Sequence, residues 1–182
     1  MSLSLKMSSP DHEIAAVMEV VEQRTIAFFR DELGLVPLAV NREVHHEKSL
    51  ALRAVTAIVG VGARAGLHIA YSYDDALIRA MTKRHTAGLS YPADEEGLYI
   101  RETASDVVNI IVGNSTGDLA QRGELITLSP PVLMDGARTI QGRRDSTIAA
   151  VTLCFAEGAL DIAFVGPRIL LDDHLNRQEG VA

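Results

Sequence analysis

Ser146-Thr-Ile-Ala-Ala-Val-Thr-Leu-Cys-Phe-Ala-Glu-Gly-Ala-Leu-Asp-Ile-Ala-Phe-Val165 is the stretch that decides the fold class. Two β-rich runs, Ser146–Phe155 and Ala159–Val165, flank Glu157-Gly158, which is the turn chemistry of a hairpin. A second pair of runs, Leu52–Val59 and Leu67–Tyr73, is joined by the glycine-rich segment Gly60–Gly66. Its spacing does not fit G-x-G-x-x-G. Beyond Gly66 the apolar residues Leu67, Ile69 and Tyr71 alternate as in a strand, where a phosphate-binding loop would open a helix. This segment is therefore read as a hairpin connection. Shorter runs, Glu124–Leu128 and Val132–Met134, are parted by Ser129-Pro130-Pro131, whose prolines mark a sheet edge or a bend. Gly136–Asp145 reads as a polar, mobile connection.

Working outward, Asp11 is a candidate N-cap for a helix that carries Ile14, Val17, Met18, Val21, Thr25, Phe28 and Leu33 on one side. Gly34 stands where a C′ glycine belongs, and Pro37 blocks resumption. Asp74–Thr86 reads as a short helix with Asp74 and Asp75 suited to its positive end. Ala87–Gly97 reads as a loop, and a second helical segment runs from about Leu98 to Gln121. Strands that come in hairpins, with no β-α-β crossover, predict an α+β fold: a mostly antiparallel sheet with long helices packed on it. The expected organisation is a loose tail over 1–10, one domain over 11–171 and a fraying charged tail over 172–182.

Composition narrows the function classes. The formal net charge is −7, with no Lys/Arg-rich stripe, and aromatics make up 4% of the chain. That argues against nucleic-acid binding, which needs clustered cations or stacking platforms. No apolar stretch approaches the roughly 20 residues that span a bilayer, and Met1–Pro10 lacks the apolar core of a signal peptide. A cytoplasmic protein is expected. The one cysteine, Cys154, can form no internal disulfide and is expected to be a buried, inert thiol. His45 and His46 are adjacent, and His12, His68, His85 and His174 show no ligand spacing, so no metal site is expected. There is no G-x-S-x-G elbow and no Walker loop.

The chemistry concentrates on Glu102–Thr116. At about 100° per residue, Glu102, Ser105, Asp106, Asn109, Gly113 and Thr116 share one sector of the helix, while Ala104, Val107, Val108, Ile111 and Ser115 cover the other side. The polar sector holds no Lys or Arg. Gly113 within it costs about 1 kcal/mol of helix stability relative to Ala, and a bare backbone there lets another protein approach closely.

The run Glu102-Thr-Ala-Ser-Asp106-Val-Val-Asn109-Ile-Ile-Val-Gly113-Asn114, with Ser129-Pro130-Pro131-Val132 and Gly136 after it, resembles the CheX branch of the CheC/CheX/FliY phosphatases. The likeness extends to the N-terminal helix, the hairpin with Gly60 and Gly66, the helix at Asp74 and the closing hairpin. It implies hydrolysis of the aspartyl-phosphate on a CheY-like receiver domain, by in-line attack of water. Asn109 would position the water and Asp106 would pair with the receiver's lysine; Glu102, Ser105, Gly113 and Asn114 would contact the partner. The receiver would carry the Mg²⁺, leaving this chain without a cofactor, and the resemblance also implies a homodimer. The family's acid is typically glutamate, in E-x-x-N. Asp106 keeps the charge but is shorter by one carbon–carbon bond, about 1.5 Å. This shortening supports a second reading: a receiver-binding module of the same fold without turnover. A third, an unrelated small-molecule-binding domain, would be marked by a pocket remote from the Glu102–Asn109 face.

Overall fold

The computed structural model describes residues 10–45, 49–62, 66–121, 127–136, 138–142 and 146–167. Helix α1 spans Pro10–Asp31, and Gly34 beyond it takes a positive φ of 61°. Proline fits the first turn, where its missing N–H would have no partner anyway. Asp11, expected as the N-cap, therefore lies inside the helix. Strand β1 (Ala39–His45) and the short β2 (Ser49–Ala51) lead into the hairpin of β3 (Val55–Gly62) and β4 (Leu67–Tyr73). Next come helix α2 (Asp75–His85), a 3-10 turn at Ala93–Glu95 and helix α3 (Glu96–Gln121). The chain closes with β5 (Thr127–Leu128), β6 (Val132–Asp135), β7 (Thr139–Gln141), β8 (Ser146–Phe155) and β9 (Gly158–Pro167).

Seven strands form one sheet in the order β1-β8-β9-β4-β3, with β5 and β6 sharing the far edge of β3. Every one of its pairings is antiparallel. The hairpin expected around Gly60–Gly66 is present, with Val61 opposite Leu67, and so is the closing hairpin, with Phe155 opposite Gly158. The α+β architecture is thus as expected, although β3 begins three residues later than Leu52. β1, β2 and β7 were not anticipated, and β7 falls within the stretch read as a mobile connection.

Because side chains alternate along a strand, the sheet has two unlike faces. One carries Val55, Ala57, Val59, Ile69, Tyr71, Tyr73, Val151, Leu153, Leu160, Ile162 and Phe164 into the main core under the helices. The other buries a smaller cluster, Ala70, Ile148 and Ala163, under Leu50 of the β2–β7 ribbon, with Ile140 packed beside it. Cys154 lies on that second face, opposite Ala159 and the edge residue Ala39, and is partly exposed. The expectation of a buried thiol is corrected: the ribbon covers the Ile148 end of β8 and not the Cys154 end. Among the described residues, no helix is long and apolar enough to cross a membrane. His46, His174 and the tail 172–182 lie outside the described residues.

Candidate functional site

Helix α3 is held on three sides. It buries Ile100, Thr103, Ala104, Val107, Val108, Ile111, Val112, Ser115 and Leu119, packing against α1, α2 and the β3–β6 side of the sheet. Arg24 of α1 pairs bidentately with Asp118 of α3, and Arg79 of α2 bridges to Glu96 at the helix start, 2.7 Å away. Both ends of the helix are therefore tied to neighbours, which fixes the rotation of its free side.

That free side is the polar sector read from the sequence. Glu102, Asp106, Asn109, Gly113 and Asn114 are exposed, and Ser105 and Thr116 are half-buried at its margin. Asp106 and Asn109 stand one turn apart, a spacing that sets helix side chains roughly 5–6 Å from each other at Cβ. Among the described residues no hydrogen bond or ion pair engages either side chain. A carboxylate and a carboxamide thus stand side by side, open to solvent and available to an incoming partner. The amide can accept through its oxygen and donate through its nitrogen, and the carboxylate accepts only. Gly113 has nothing within 4 Å of where a Cβ would stand, so no neighbour in the chain itself requires a glycine there. Sequence reasoning missed three apolar members of this side. Leu98 is 46% exposed, Ile110 is 39% exposed, and Tyr99 stacks on Tyr91. Extending the helical wheel one turn upstream of Glu102 would have found the first and third.

Ser129-Pro130-Pro131 plays a different part. Leu128 pairs with Val61 and Val132 with Ile58, so three residues here span two on β3, which is a bulge. Neither proline can donate to the ladder. Ser129 compensates: its N–H donates to the Gly60 carbonyl at 2.9 Å, and its Oγ accepts from the Gly60 N–H at 2.8 Å. A Cβ on Gly60 would stand 3.2 Å from that Oγ. The motif therefore fastens the edge of the sheet beneath α3 and supplies no reactive group.

A hollow of about 390 Å³ lies at the tip of the β3–β4 hairpin, lined by Gly60, Gly62, Gly66, His68, Thr127 and Ser129 among others. The hydroxyls that line it are already bonded to the backbone of β3, Thr127 to the Gly62 carbonyl and Ser129 to Gly60. It offers little convergent polar chemistry to a small molecule. Among the described residues, no three His, Cys, Asp or Glu side chains are grouped to hold a metal ion.

The fold has counterparts in known proteins. The sequence model of the family chemotaxis phosphatase CheX matches residues 55–154, more than half the chain. A chemotaxis protein CheX from Desulfovibrio desulfuricans shares 16% identity, with 82% of this chain and 98% of that one covered at a TM-score of 0.70. A CheX from Borrelia burgdorferi, solved as a complex with CheY, BeF3 and Mg²⁺, shares 18% identity over 84% of this chain and 97% of that one, at a TM-score of 0.63. The middle domain of FliM from H. pylori is more distant, at 10% identity and a TM-score of 0.51 over 93% of this chain and 99% of that one. No curated protein sequence matches the chain.

Proposed function

The chain belongs to the chemotaxis phosphatase CheX family, and we propose that it hydrolyses the aspartyl-phosphate of a CheY-like receiver domain with Asn109 as its catalytic residue. The observation that carries this reading is the unengaged pair Asp106 and Asn109 on the exposed side of α3. The Borrelia burgdorferi relative in complex with CheY supports a receiver as the partner. The same reading includes a homodimer, a cytoplasmic location and Mg²⁺ held by the receiver.

Hydrolysis of an acyl phosphate proceeds by in-line attack of water through a loose transition state, so a catalyst acts by positioning and by stabilising charge. The Asn109 oxygen accepts a hydrogen bond from the attacking water and sets its lone pair toward phosphorus. Its NH2 donates to an equatorial phosphoryl oxygen. The water adds to phosphorus as the bond to the aspartyl oxygen breaks, yielding inorganic phosphate and the free receiver carboxylate. Asp106 pairs with the receiver's lysine, a charge-assisted contact that fixes the docking register. Glu102, Ser105, Gly113 and Asn114 complete the contact surface.

Asp106 favours a second reading. Its reach is about 1.5 Å less than that of glutamate, and a module that docks on receivers without turnover would tolerate that loss. One experiment separates the two. A receiver is phosphorylated chemically and its decay followed with and without this chain. Acceleration is expected, and Asn109→Ala should lower kcat about 100-fold, the scale on which loss of one preorganised transition-state donor is felt. Asp106→Glu should raise turnover if the native side chain is short for the task. Unchanged decay with the wild type, or wild-type rates from Asn109→Ala, would remove the catalytic reading. Binding without turnover would establish the docking module.

A further inference from the structure

Resting on the receiver reading above, we propose that the N-terminal end of α3 is an apolar anchor that selects the receiver, built from Leu98 and the stacked rings of Tyr91 and Tyr99. The rings lie 4.0 Å apart between centroids at an interplanar angle of 18°. Leu98 leaves 46% of its surface in solvent, with Glu102 one turn away.

The anchor is continuous with the catalytic face. At about 100° per residue, Leu98 lies within about 20° of Asn109 around the helix, and Tyr99 within about 20° of Asp106. Along the axis, Leu98 and Asn109 are separated by roughly 16 Å at 1.5 Å per residue. A stable protein interface buries about 800 Å² on each partner, a footprint roughly 30 Å across. A receiver whose contact is centred between the two, roughly 8 Å from each along the axis, brings its phosphoryl group to Asn109 and covers Leu98 within one footprint. Stacked tyrosines suit an anchor because they present a large rigid area at little entropic cost.

Charge says which partner fits. Asp94, Glu95, Glu102 and Asp106 are exposed around the apolar end against one exposed cation of α3, Arg101, a turn from Leu98, and the helix holds no Lys or Arg after it. A second copy docking there isologously would set this acidic rim against itself. The occupant is a receiver whose rim beside the phosphorylation pocket is basic around an apolar centre.

The test uses full-length chain, with Leu98→Ser and Tyr91→Ala as variants whose folding is verified by thermal melts. The probes are receiver domains from the source organism loaded with beryllofluoride and Mg²⁺ for binding, and the same receivers phosphorylated for turnover. Both variants should raise Kd and KM about tenfold, the scale of losing one well-placed interface side chain, with kcat within twofold of wild type. Leu98→Met should restore binding. Folded variants whose Kd and KM both stay within twofold overturn the anchor while the catalytic reading stands. Wild-type rates from Asn109→Ala beside weakened binding by Leu98→Ser overturn the catalytic reading and keep the anchor. A wild-type chain that neither binds nor hydrolyses any of these receivers overturns both.

Discussion

Tyr71 and Tyr73 stand two residues apart on β4, both fully buried under the helices, with opposite fortunes. The Tyr71 hydroxyl meets the Thr25 hydroxyl of α1 at 2.8 Å, whereas that of Tyr73 has no hydrogen-bond partner among the described residues. Burial pushes both phenols well above their ordinary range, and the Tyr71 hydrogen bond with Thr25 offsets part of that. A phenol whose folded pKa exceeds its unfolded value contributes its full stability below the unfolded pKa of about 10, and that contribution is lost as the medium becomes more alkaline. Stability should therefore fall steeply above pH 10. Tyr73→Phe should make that fall shallower, with Tyr71 left to supply the remainder. At neutral pH the same variant removes an unsatisfied hydroxyl and should gain about 1 kcal/mol. Urea unfolding at pH 7.5 and pH 10.5 reads both effects, and a loss of stability at neutral pH would mean that the hydroxyl has a partner after all.

Gly113 poses the corresponding question for an element, because it weakens a helix it has no intramolecular reason to occupy. Gly113→Ala meets open space and should stabilise the chain by about 1 kcal/mol, a Tm rise of roughly 2–4 °C for a chain of this size. If a receiver approaches that backbone, the same methyl should raise KM. A variant that melts higher and turns over like wild type would leave the glycine unexplained by docking. The helix was legible in the sequence because its periodicity is strict: the residues read as its buried side, Ala104, Val107, Val108, Ile111 and Ser115, are buried. The two hairpins were legible for the same reason in period two. β1 was not, because it is an edge strand whose Asn41, Arg42 and Glu43 are exposed, so its composition is that of a loop. β2 and β7 were not, because each is three residues long and inserts a single apolar side chain, Leu50 or Ile140, over the far face of the sheet. Ser129-Pro130-Pro131 could be read as an edge or bend, but its bond to Gly60 joins positions 69 residues apart, which no local pattern encodes. Leu98 and Tyr99 carried a usable signal in the helical period.

At the scale of the molecule, the sheet keeps the side covered by its helices and its fastening side on opposite faces. The far face holds a polar cluster that ties four strands and a helix start together. Arg53 donates to both carboxylate oxygens of Asp161 on β9, at 2.7 and 3.0 Å, and to Asp74 at the head of α2 at 2.8 Å. Thr152 of β8 donates to Asp161 at 2.7 Å, and Ser72 of β4 accepts from the Arg53 backbone while pairing with Thr56 of β3. Asp74 does not cap its own helix with a side-chain bond; it accepts from the Ala159 N–H at 2.8 Å, which docks α2 onto the closing hairpin. Burial works against the Arg53 charge, but Asp161 and Asp74 outweigh it and hold the guanidinium pKa above its usual value. Asp161 is 8% exposed, so its removal strands a partly buried cation with one carboxylate and leaves the Thr152 hydroxyl without its acceptor. Breaking a buried pair in this way costs about 3–5 kcal/mol, and the partial exposure of Arg53 places Asp161→Ala at about 3 kcal/mol. Because α2 packs on α3, the variant should lower the urea midpoint markedly. Receiver turnover measured well below that midpoint should hold, since no residue of the network reaches the Asp106–Asn109 face. A stability change under about 1 kcal/mol, the value of a solvated surface pair, would mean that the cluster contributes no more than one.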